Sequence, residues 1–391
     1  MPKLRRFVLL ILCITLIAPL VAIPVYAEPD FSGSVISMPS ISAKAAVLIE
    51  GESGTRIYDK QADEVLPMAS TTKIMTALVA LEQASPETEI QVPAIAVGTE
   101  GSSVYLVEGE TLTLEQLLYA LLLESANDAA VTIAVGIAGS VDAFADLMNQ
   151  KATSLGLVHT HFSNPHGLDD EQHYTTAYEL ARITQCALEN ELFRTIVSTR
   201  KTTIPHAGID GVRLLVNHNK MLRLYDACIG VKTGFTKQSG RCLVSAAERD
   251  GVLLIAVTLH APNDWDDHQK LLDYGFSKYE SRTLCTAEEF QVSLPIVGGT
   301  DSYVMLSNRD TVQCVLPRSC PAIESTIMTR RFEYASVSEG DVLGKVVFQC
   351  DTNGDGTMES IGEAELVACY TVEQSSTKKS FWQWLCSLFG F

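Results

Sequence analysis

The spacing of apolar residues changes once along this chain, and this change limits the folds that the chain can adopt. Up to about Phe276, strand pairs alternate with segments that carry apolar residues at helical spacing, as in the run that follows Ser70. A further helix is predicted in TLEQLLYALLLES, where Thr113 and Gln116 are placed as a capping box. From about Glu288 onward, short segments alternate apolar and polar residues, which is typical of strands. The pattern predicts an α+β fold, an antiparallel sheet flanked by helices, followed by a small all-β sandwich.

The first 27 residues have the composition of a secretory signal peptide. The segment MPKLRR is basic, an apolar stretch follows it, and small residues end in VYA before Glu28. This order predicts export and cleavage after Ala27. The alternative is an uncleaved transmembrane anchor, which Pro19 and Pro24 disfavour because they interrupt the apolar stretch. We therefore expect an exported, extracytoplasmic protein.

The C-terminal segment 381–391, FWQWLCSLFGF, predicts attachment to the outer face of the cytoplasmic membrane. Its large apolar side chains recur at helical spacing and would form one face of a helix. The eleven residues would span about 16 Å as a helix, which is short of the roughly 30 Å hydrocarbon core. Two tryptophans suit the headgroup boundary, and Lys378 and Lys379 suit anionic lipid. The alternative is that this segment packs on the protein's own β domain.

These changes in pattern divide the chain into four predicted segments. A polar stretch, TVEQSSTKKS, separates the last predicted strand from the apolar C-terminal segment. The predicted segments are the signal peptide at 1–27, the α+β domain at 36–276, the β-sandwich domain at 285–370, and a polar linker with an amphipathic anchor helix at 371–391.

The charge of the chain excludes nucleic acid as a partner. The sequence has 29 lysines and arginines against 47 aspartates and glutamates, a formal charge of −18. Residues 1–27 hold three cations and no acid, so the processed chain would carry 26 − 47 = −21. Such an acidic chain repels the phosphate backbone of nucleic acids.

The cysteines and one acidic loop predict neither a metal site nor a cofactor. The ten cysteines are scattered without a C-x-x-C or paired Cys/His spacing, so most are interpreted as small core residues. The segment DTNGDGTMESIG begins like a calcium loop, but Gly362 stands where that loop requires a bidentate glutamate. We interpret it as the tip of a hairpin.

Three short motifs carry the chemistry. S-x-x-K occurs four times, but only Ser70 and Lys73 open an apolar helix, whose first backbone N–H groups can bind an oxyanion. The segment LLLESANDAAV contains S-x-N at Ser125 and Asn127. The segment IGVKTGFT contains K-T-G, which begins at Lys232 on an apolar strand. A serine hydroxyl needs a base to become a nucleophile, and a lysine that burial and a nearby cation keep neutral can serve as that base.

In this order, the three motifs resemble those of the serine D-alanyl-D-alanine carboxypeptidases, the low-molecular-mass penicillin-binding proteins. The resemblance extends to GSSVYLVEGETLTLEQLLYALLLESANDAA, FSNPHGLDDEQHYTTAYELA and LLDYGF, and covers about residues 36–276. It implies a β-lactamase-like catalytic domain without a cofactor. It also implies hydrolysis of peptidoglycan stem peptides that end in D-Ala-D-Ala, through an acyl-enzyme on Ser70. β-Lactams would be covalent inhibitors.

The resemblance also implies a role for each motif residue. Ser125 would relay a proton to the leaving amine, and Asn127 would hydrogen-bond the peptide. The terminal carboxylate of the substrate would bind to a cation and two hydroxyls, those of Lys232, Thr233 and Thr236. Gly234 would let the substrate backbone pair with the strand. The oxyanion hole would be formed by the backbone N–H groups of Ser70 and Phe235.

Other interpretations of the same residues remain open. The stem of Lys73 could pack in the core with its amine in solvent, and Ser125 and Asn127 could form a helix cap or turn. His166 and Asp128 are expected to order loops rather than to act as bases. The same fold could serve a D,D-endopeptidase, a β-lactamase or a catalytically silent wall-binding protein. Efficient β-lactam hydrolysis is disfavoured, because the sequence has S-A-N instead of S-D-N and no downstream E-x-x-L-N.

Overall fold

A computed structural model of the chain describes residues 37–207, 211–352 and 354–375. The predicted signal peptide and the C-terminal segment 381–391 lie outside the described residues. The described helices are α1 (Lys73–Gln83), α2 (Leu114–Leu123), α3 (Asn127–Ala138), α4 (Val141–Ser154), α5 (Ala177–Leu188), α6 (Glu191–Ser198), α7 (Met221–Leu224) and α8 (Asp264–Lys278), with short 3₁₀ helices at Ala69–Thr72 and Ala94–Ala96.

Seventeen strands are described. The strands before α8 are β1 (Ala45–Glu50), β2 (Arg56–Lys60), β3 (Glu89–Gln91), β4 (Thr111–Thr113), β5 (Lys201–Pro205), β6 (Val212–Val216), β7 (Cys228–Thr236), β8 (Gly240–Arg249) and β9 (Val252–Leu259). Those after it are β10 (Tyr279–Cys285), β11 (Gln291–Val297), β12 (Tyr303–Asn308), β13 (Val312–Pro317), β14 (Glu324–Thr329), β15 (Glu333–Tyr334), β16 (Val342–Cys350) and β17 (Glu359–Ala368).

A five-stranded antiparallel sheet lies at the centre of the N-terminal part, in the order β2-β1-β9-β8-β7. Strand β9 is apolar almost throughout because both of its faces are buried. Ile255 and Val257 pack in the large core with α1 to α6. Leu254 packs on the other face with Leu271 and Leu272 of α8. The sheet is therefore covered by helices on both faces, and β7 is its edge strand.

Local sequence signals explain how the helices at this edge begin. The Thr113 side chain accepts from the Gln116 amide, and the predicted capping box of α2 is present. The run after Ser70 begins as a 3₁₀ turn and becomes α-helical at Lys73, three residues later than the spacing predicts. The sequence analysis does not predict α4, α6, α7 or α8. Helix α8 begins with an acidic first turn and has few apolar residues along its length. The spacing of its residues therefore does not reveal that it packs against the sheet.

The C-terminal part is all β, as the alternating pattern predicts. A six-stranded sheet has the order β14-β16-β17-β12-β11-β15, and β10 pairs with β13. All of these pairs are antiparallel except β11 with β15. Strands β16 and β17 pair across the DTNGDG segment, where the Asp351 carboxylate accepts from the backbone N–H groups of Gly354 and Gly356. The segment is thus a hairpin tip. The α+β fold class with an all-β C-terminal part is confirmed, and the predicted domain bounds stay a prediction.

Two further features of the described residues bear on the sequence analysis. Cys320 and Cys350 form a disulfide that the cysteine spacing does not reveal. No single described helix is long and apolar enough to span a membrane. Helices α3 and α4 taken together have the length and composition of a membrane span. However, the chain bends by 84° between them, and much of α3 packs in the core.

Candidate active site

The three motifs meet in one cleft at the edge strand β7. The cleft is a cavity of about 370 Å³ between the turn before α1, the turn between α2 and α3, and β7. Residues from seven segments line it: Ser70, Ser102, Ser125, His218, Lys220, Thr233, Gly234, Phe235, Arg241, Asp264 and Trp265. We call Lys73, Asn127 and Lys232, which lie buried beside it, the cleft floor. We call Lys220, Arg241 and Trp265, which line both this cavity and a neighbouring one, the outer rim.

Lys73 is fully buried, and its amine is held by three contacts. The Nζ atom lies 2.7 Å from Oδ1 of Asn127, 2.6 Å from the carbonyl oxygen of His166 and 3.0 Å from Oγ of Ser70. The first two partners can only accept a hydrogen bond. A neutral amine has two N–H groups and one lone pair. If the N–H groups donate to Asn127 and His166, the lone pair remains for the hydroxyl proton of Ser70.

The surroundings of Lys73 favour this neutral form. Burial lowers the pKa of Lys73 well below its usual value, and the charge of Lys232 lowers it further, while Asp128 opposes both effects. The alternative in which the amine of Lys73 reaches solvent does not fit the structure, because the whole residue is buried.

Lys232 lies in the same floor but has different contacts. Its side chain is also buried, and its Nζ donates to the carbonyl oxygen of Thr233 at 2.8 Å. Burial lowers the pKa of Lys232 to about 7. Near neutral pH, this lysine therefore exchanges between its charged and its neutral form.

The S-x-N motif forms the turn between α2 and α3. Ser125 lines the cavity and has a left-handed backbone with φ of 61°, an unusual conformation for a residue other than glycine. Asn127 is the first residue of α3, and its amide is engaged at both ends. Oδ1 accepts from Lys73, and Nδ2 donates to the carbonyl oxygen of Glu100 at 2.6 Å. Asn127 thus orients Lys73, whereas its predicted contact with substrate stays a prediction.

Gly234 allows β7 to approach the catalytic turn closely. A Cβ atom at this position would lie 3.1 Å from the backbone nitrogen atoms of Ser70 and Thr71 and from the carbonyl oxygen of Met68. A side chain here would crowd the turn that carries the nucleophile. This close approach explains why position 234 requires glycine, which the sequence alone did not show. It also brings the next residue, Phe235, to the cavity beside Ser70.

Thr233 and Thr236 differ in position, although the sequence analysis groups them. Thr233 lines the cavity. Thr236 lies at the end of β7, where its hydroxyl is 2.8 Å from Oδ1 of Asp169 and 2.9 Å from Oγ of Ser239. Thr236 is not among the residues that line the cavity.

His166 and Asp128 have the contacts of residues that order loops. Nδ1 of His166 accepts from the Leu168 amide, and burial with the nearby Lys73 lowers the pKa of His166 to about 3. Asp128 accepts from the Ser103 hydroxyl and the Leu106 amide. His166 therefore stays neutral near pH 7, and Asp128 holds the loop that leads from Ser102.

Sequence analysis missed a second histidine beneath the nucleophile. The Ser163 amide donates to Nδ1 of His173, so Nε2 carries the proton and donates to the Thr72 hydroxyl at 2.7 Å. That hydroxyl donates in turn to the carbonyl oxygen of Ala69, the residue before the nucleophile. This chain of hydrogen bonds supports the turn of Ser70. A lone histidine in a polar loop gives no sequence signal of such a contact.

A buried ion pair next to the cleft was missed as well. Arg213 donates to both carboxylate oxygens of Glu110, and also to the carbonyl oxygens of Val104 and Tyr105. Both charged side chains are almost fully buried. The pair fastens strand β6 to the loop that follows Ser102. The single arginine in the apolar run VRLLV was the available signal.

Comparison with known proteins agrees with the resemblance carried by the motifs. The family described as D-alanyl-D-alanine carboxypeptidase matches residues 33–263. The D-alanyl-D-alanine carboxypeptidase DacF of Bacillus subtilis is 30% identical over 336 residues, which cover 83% of this chain and 86% of that protein. Penicillin-binding protein 5 from Haemophilus influenzae aligns with a TM-score of 0.66 and 27% identity, over 87% of this chain and 100% of that structure. The DD-transpeptidase of Streptomyces K15 aligns with a TM-score of 0.59 and 34% identity, over 62% and 100% respectively.

Proposed function

We infer how the cleft works from the premise that this chain belongs to the D-alanyl-D-alanine carboxypeptidase family. It is a serine hydrolase that removes the terminal D-alanine from peptidoglycan stem peptides, and it is a penicillin-binding protein. The steps and the residue roles below are proposals. The observation that carries them is the contact of Lys73 Nζ with Ser70 Oγ in a buried site.

Acylation begins with removal of the Ser70 proton. The lone pair of neutral Lys73 accepts it while Oγ attacks the carbonyl carbon of the penultimate D-alanine. Negative charge develops on the carbonyl oxygen and is stabilised by the backbone N–H groups of Ser70 and Phe235. The close approach that Gly234 permits keeps these two residues next to one another.

Collapse of the tetrahedral intermediate breaks the peptide C–N bond. Ser125, which lines the cavity with Ser70, passes its proton to the leaving amine and receives in turn the proton that Lys73 holds, so D-alanine leaves and Lys73 is neutral again. The carboxylate of the leaving residue lies toward Lys232 and the hydroxyl of Thr233. Thr236 would join them only if its hydroxyl left Asp169.

Water then hydrolyses the ester on Ser70, and β-lactams are expected to stall at this step. Of the residues that line the cavity, the one carboxylate is that of Asp264, and it is paired with Arg241. No carboxylate in the described lining is thus placed to activate a water against a penicilloyl ester. Covalent trapping by penicillin is the expected outcome, as the sequence also indicates.

The experiment that tests this function is intact-mass spectrometry after incubation with penicillin. Wild type should gain one adduct and should release D-alanine from a peptide that ends in D-Ala-D-Ala. Ser70→Ala should do neither, because the nucleophile is absent. An adduct that survives this substitution would contradict the assignment. Release of D-alanine without any requirement for Ser70 would do the same.

We also propose that the chain acts outside the cytoplasm, attached to the outer face of the membrane through residues 381–391. The support is the signal-like sequence 1–27 and the amphipathic spacing of the C-terminal segment. Truncation after Thr377 should move the processed enzyme from the membrane to the soluble fraction without a change in its activity on soluble peptide. Pelleting of the truncated protein with membranes would show that the anchor lies elsewhere.

A further inference from the structure

The C-terminal all-β part carries an exposed apolar patch where β15 pairs with β11. Val297 and Tyr334 are partners in this pairing, and their exposed fractions are 47% and 62%. Phe332 is 46% exposed, and its ring packs edge to face on that of Tyr334 at a centroid distance of 5.5 Å. We call these three residues the apolar patch. Exposed apolar side chains that lie together, rather than singly, mark a surface that binds another molecule or a membrane.

Two arginines precede the patch in the chain. Arg330 is paired with Glu333. Arg331 is exposed, and it makes no ion pair or hydrogen bond with any residue that the structure describes. In a chain with a formal charge of −18, an unpaired cation beside exposed aromatic rings is a local exception. Such a combination fits a partner that is apolar within and anionic at its boundary.

The chain leaves the described part of the structure beside this patch. The backbone N–H of Ser375 donates to the carbonyl oxygen of Gly298 at 2.8 Å, and Gly298 directly follows Val297. The apolar segment 381–391 begins six residues beyond Ser375, and six extended residues reach at most about 22 Å. A membrane that holds this segment therefore lies close to the apolar patch.

An anionic bilayer accounts for the aromatic rings, the unpaired arginine and the position of the chain end together. The segment 381–391 could instead fold back onto the patch, but none of its side chains is a carboxylate that would pair with Arg331. Two carboxylates at the same end of the sheet, those of Asp301 and Glu373, oppose binding to anionic lipid. Lys378 and Lys379, in the residues that follow, offset them. The electrostatic part of the contact is therefore small and depends on Arg331.

We propose that the apolar patch and Arg331 form a second contact with the anionic lipid surface, separate from the segment 381–391. The three apolar side chains enter the headgroup region, and the guanidinium of Arg331 binds lipid phosphate. The inference rests on the proposed attachment of 381–391, because a contact of this size alone does not hold a protein on a membrane. Once the segment is attached, the patch binds as an intramolecular event. The all-β part is then held on the lipid surface at two points instead of one.

The test measures how the processed full chain partitions onto vesicles of phosphatidylcholine, with and without phosphatidylglycerol. Arg331→Gln should lower the partition coefficient about fivefold on vesicles with phosphatidylglycerol, the effect of one arginine near an anionic surface. It should change nothing on phosphatidylcholine alone. Phe332→Ser combined with Tyr334→Ser should lower the coefficient about tenfold on both, because apolar burial does not depend on lipid charge.

The matched control is Arg309→Gln, which should leave both partition coefficients unchanged. Arg309 is also exposed and unpaired among the described residues, but it follows β12 at the end of the sheet where β11 begins. Val297 lies at the opposite end of β11. An unchanged melting temperature and a penicillin adduct on Ser70 would show that each variant is folded.

Equal partitioning of wild type, Arg331→Gln and the double variant would overturn the proposal. Stronger partitioning of the double variant would also overturn it, because the patch would then hold the segment 381–391 away from lipid. Failure of the proposed attachment is recognised separately, by truncation after Thr377. If the truncated chain partitions as well as the full chain, the segment 381–391 is not the anchor, whatever the patch variants do.

Discussion

The cleft floor and the outer rim both carry positively charged residue types, yet burial gives these residues different chemistry. Lys73 and Lys232 are buried in the floor, and burial lowers the pKa of each. Lys220 and the partly exposed Arg241 remain in contact with water at the rim. In low dielectric surroundings an amine loses its proton more readily, so Lys73 can act as a base and Lys232 holds its charge only up to about pH 7, whereas an exposed cation keeps its charge. The difference between the two regions is therefore one of solvation rather than of residue type.

The largest expected effect is the loss of acylation when Lys73 is removed from the cleft floor. Lys73→Ala removes the base and should lower the rate of acylation by penicillin about 10²–10⁴-fold, the usual contribution of a general base. Stopped-flow or quench measurements of acylation would give this rate, with thermal melting to confirm folding. Acylation within a few-fold of the wild-type rate would show that Lys73 is not the base.

The second effect separates the two floor lysines. Lys232→Ala should lower kcat/KM about tenfold or more for a substrate with a free terminal carboxylate, because a buried ion pair is lost. The methyl ester of the same substrate should lose much less. Steady-state kinetics on this matched pair would measure the difference. Equal losses on the acid and the ester would contradict a carboxylate-binding role.

A third prediction concerns how the charge of Lys232 changes with pH. Because the pKa of Lys232 is about 7, this lysine is charged below that pH and neutral above it. KM for the free acid should therefore rise as the pH increases through about 7, while KM for the methyl ester should stay flat. The pKa of Lys73 is also lowered. Its amine should therefore be neutral, and so able to accept a proton, at pH values where an exposed lysine is still charged. Parallel KM profiles for the acid and the ester would contradict this assignment.

The smallest expected effect is that of salt on binding at the outer rim, which tests the difference in solvation between rim and floor. Exposed charges are screened when the Debye length falls from about 10 Å at 0.1 M salt to about 3 Å at 1 M, whereas buried charges are screened much less. Added salt should therefore raise KM by about twofold to fivefold, the size of an exposed ion pair, for a substrate whose leaving group carries a second carboxylate within reach of Lys220. KM for the free acid with a single carboxylate, which binds at the buried Lys232, should change less. Equal salt sensitivity of the two KM values would show that rim and floor are solvated alike.

The sequence predicted most of the parts that build the site. The helix after Ser70, the capping box of α2 and the strand that carries K-T-G are all present, because each depends on residues close together in the chain. Helices α4, α6, α7 and α8 were not predicted, because their positions depend on contacts with distant elements. The disulfide between Cys320 and Cys350 was missed for the same reason.

What the sequence by itself determined is the set of reactive groups and their family. S-x-x-K, S-x-N and K-T-G each span only three or four residues. The local helix, turn or strand therefore sets how far apart the residues within one motif lie. Only the tertiary structure decided what surrounds these groups. It buried Lys73 against Asn127 and His166, brought Gly234 against the turn of Ser70, and assembled the outer rim from three separate elements. Burial and charge at a site are sums over neighbours that are distant in the chain, and for that reason the order of residues did not show them.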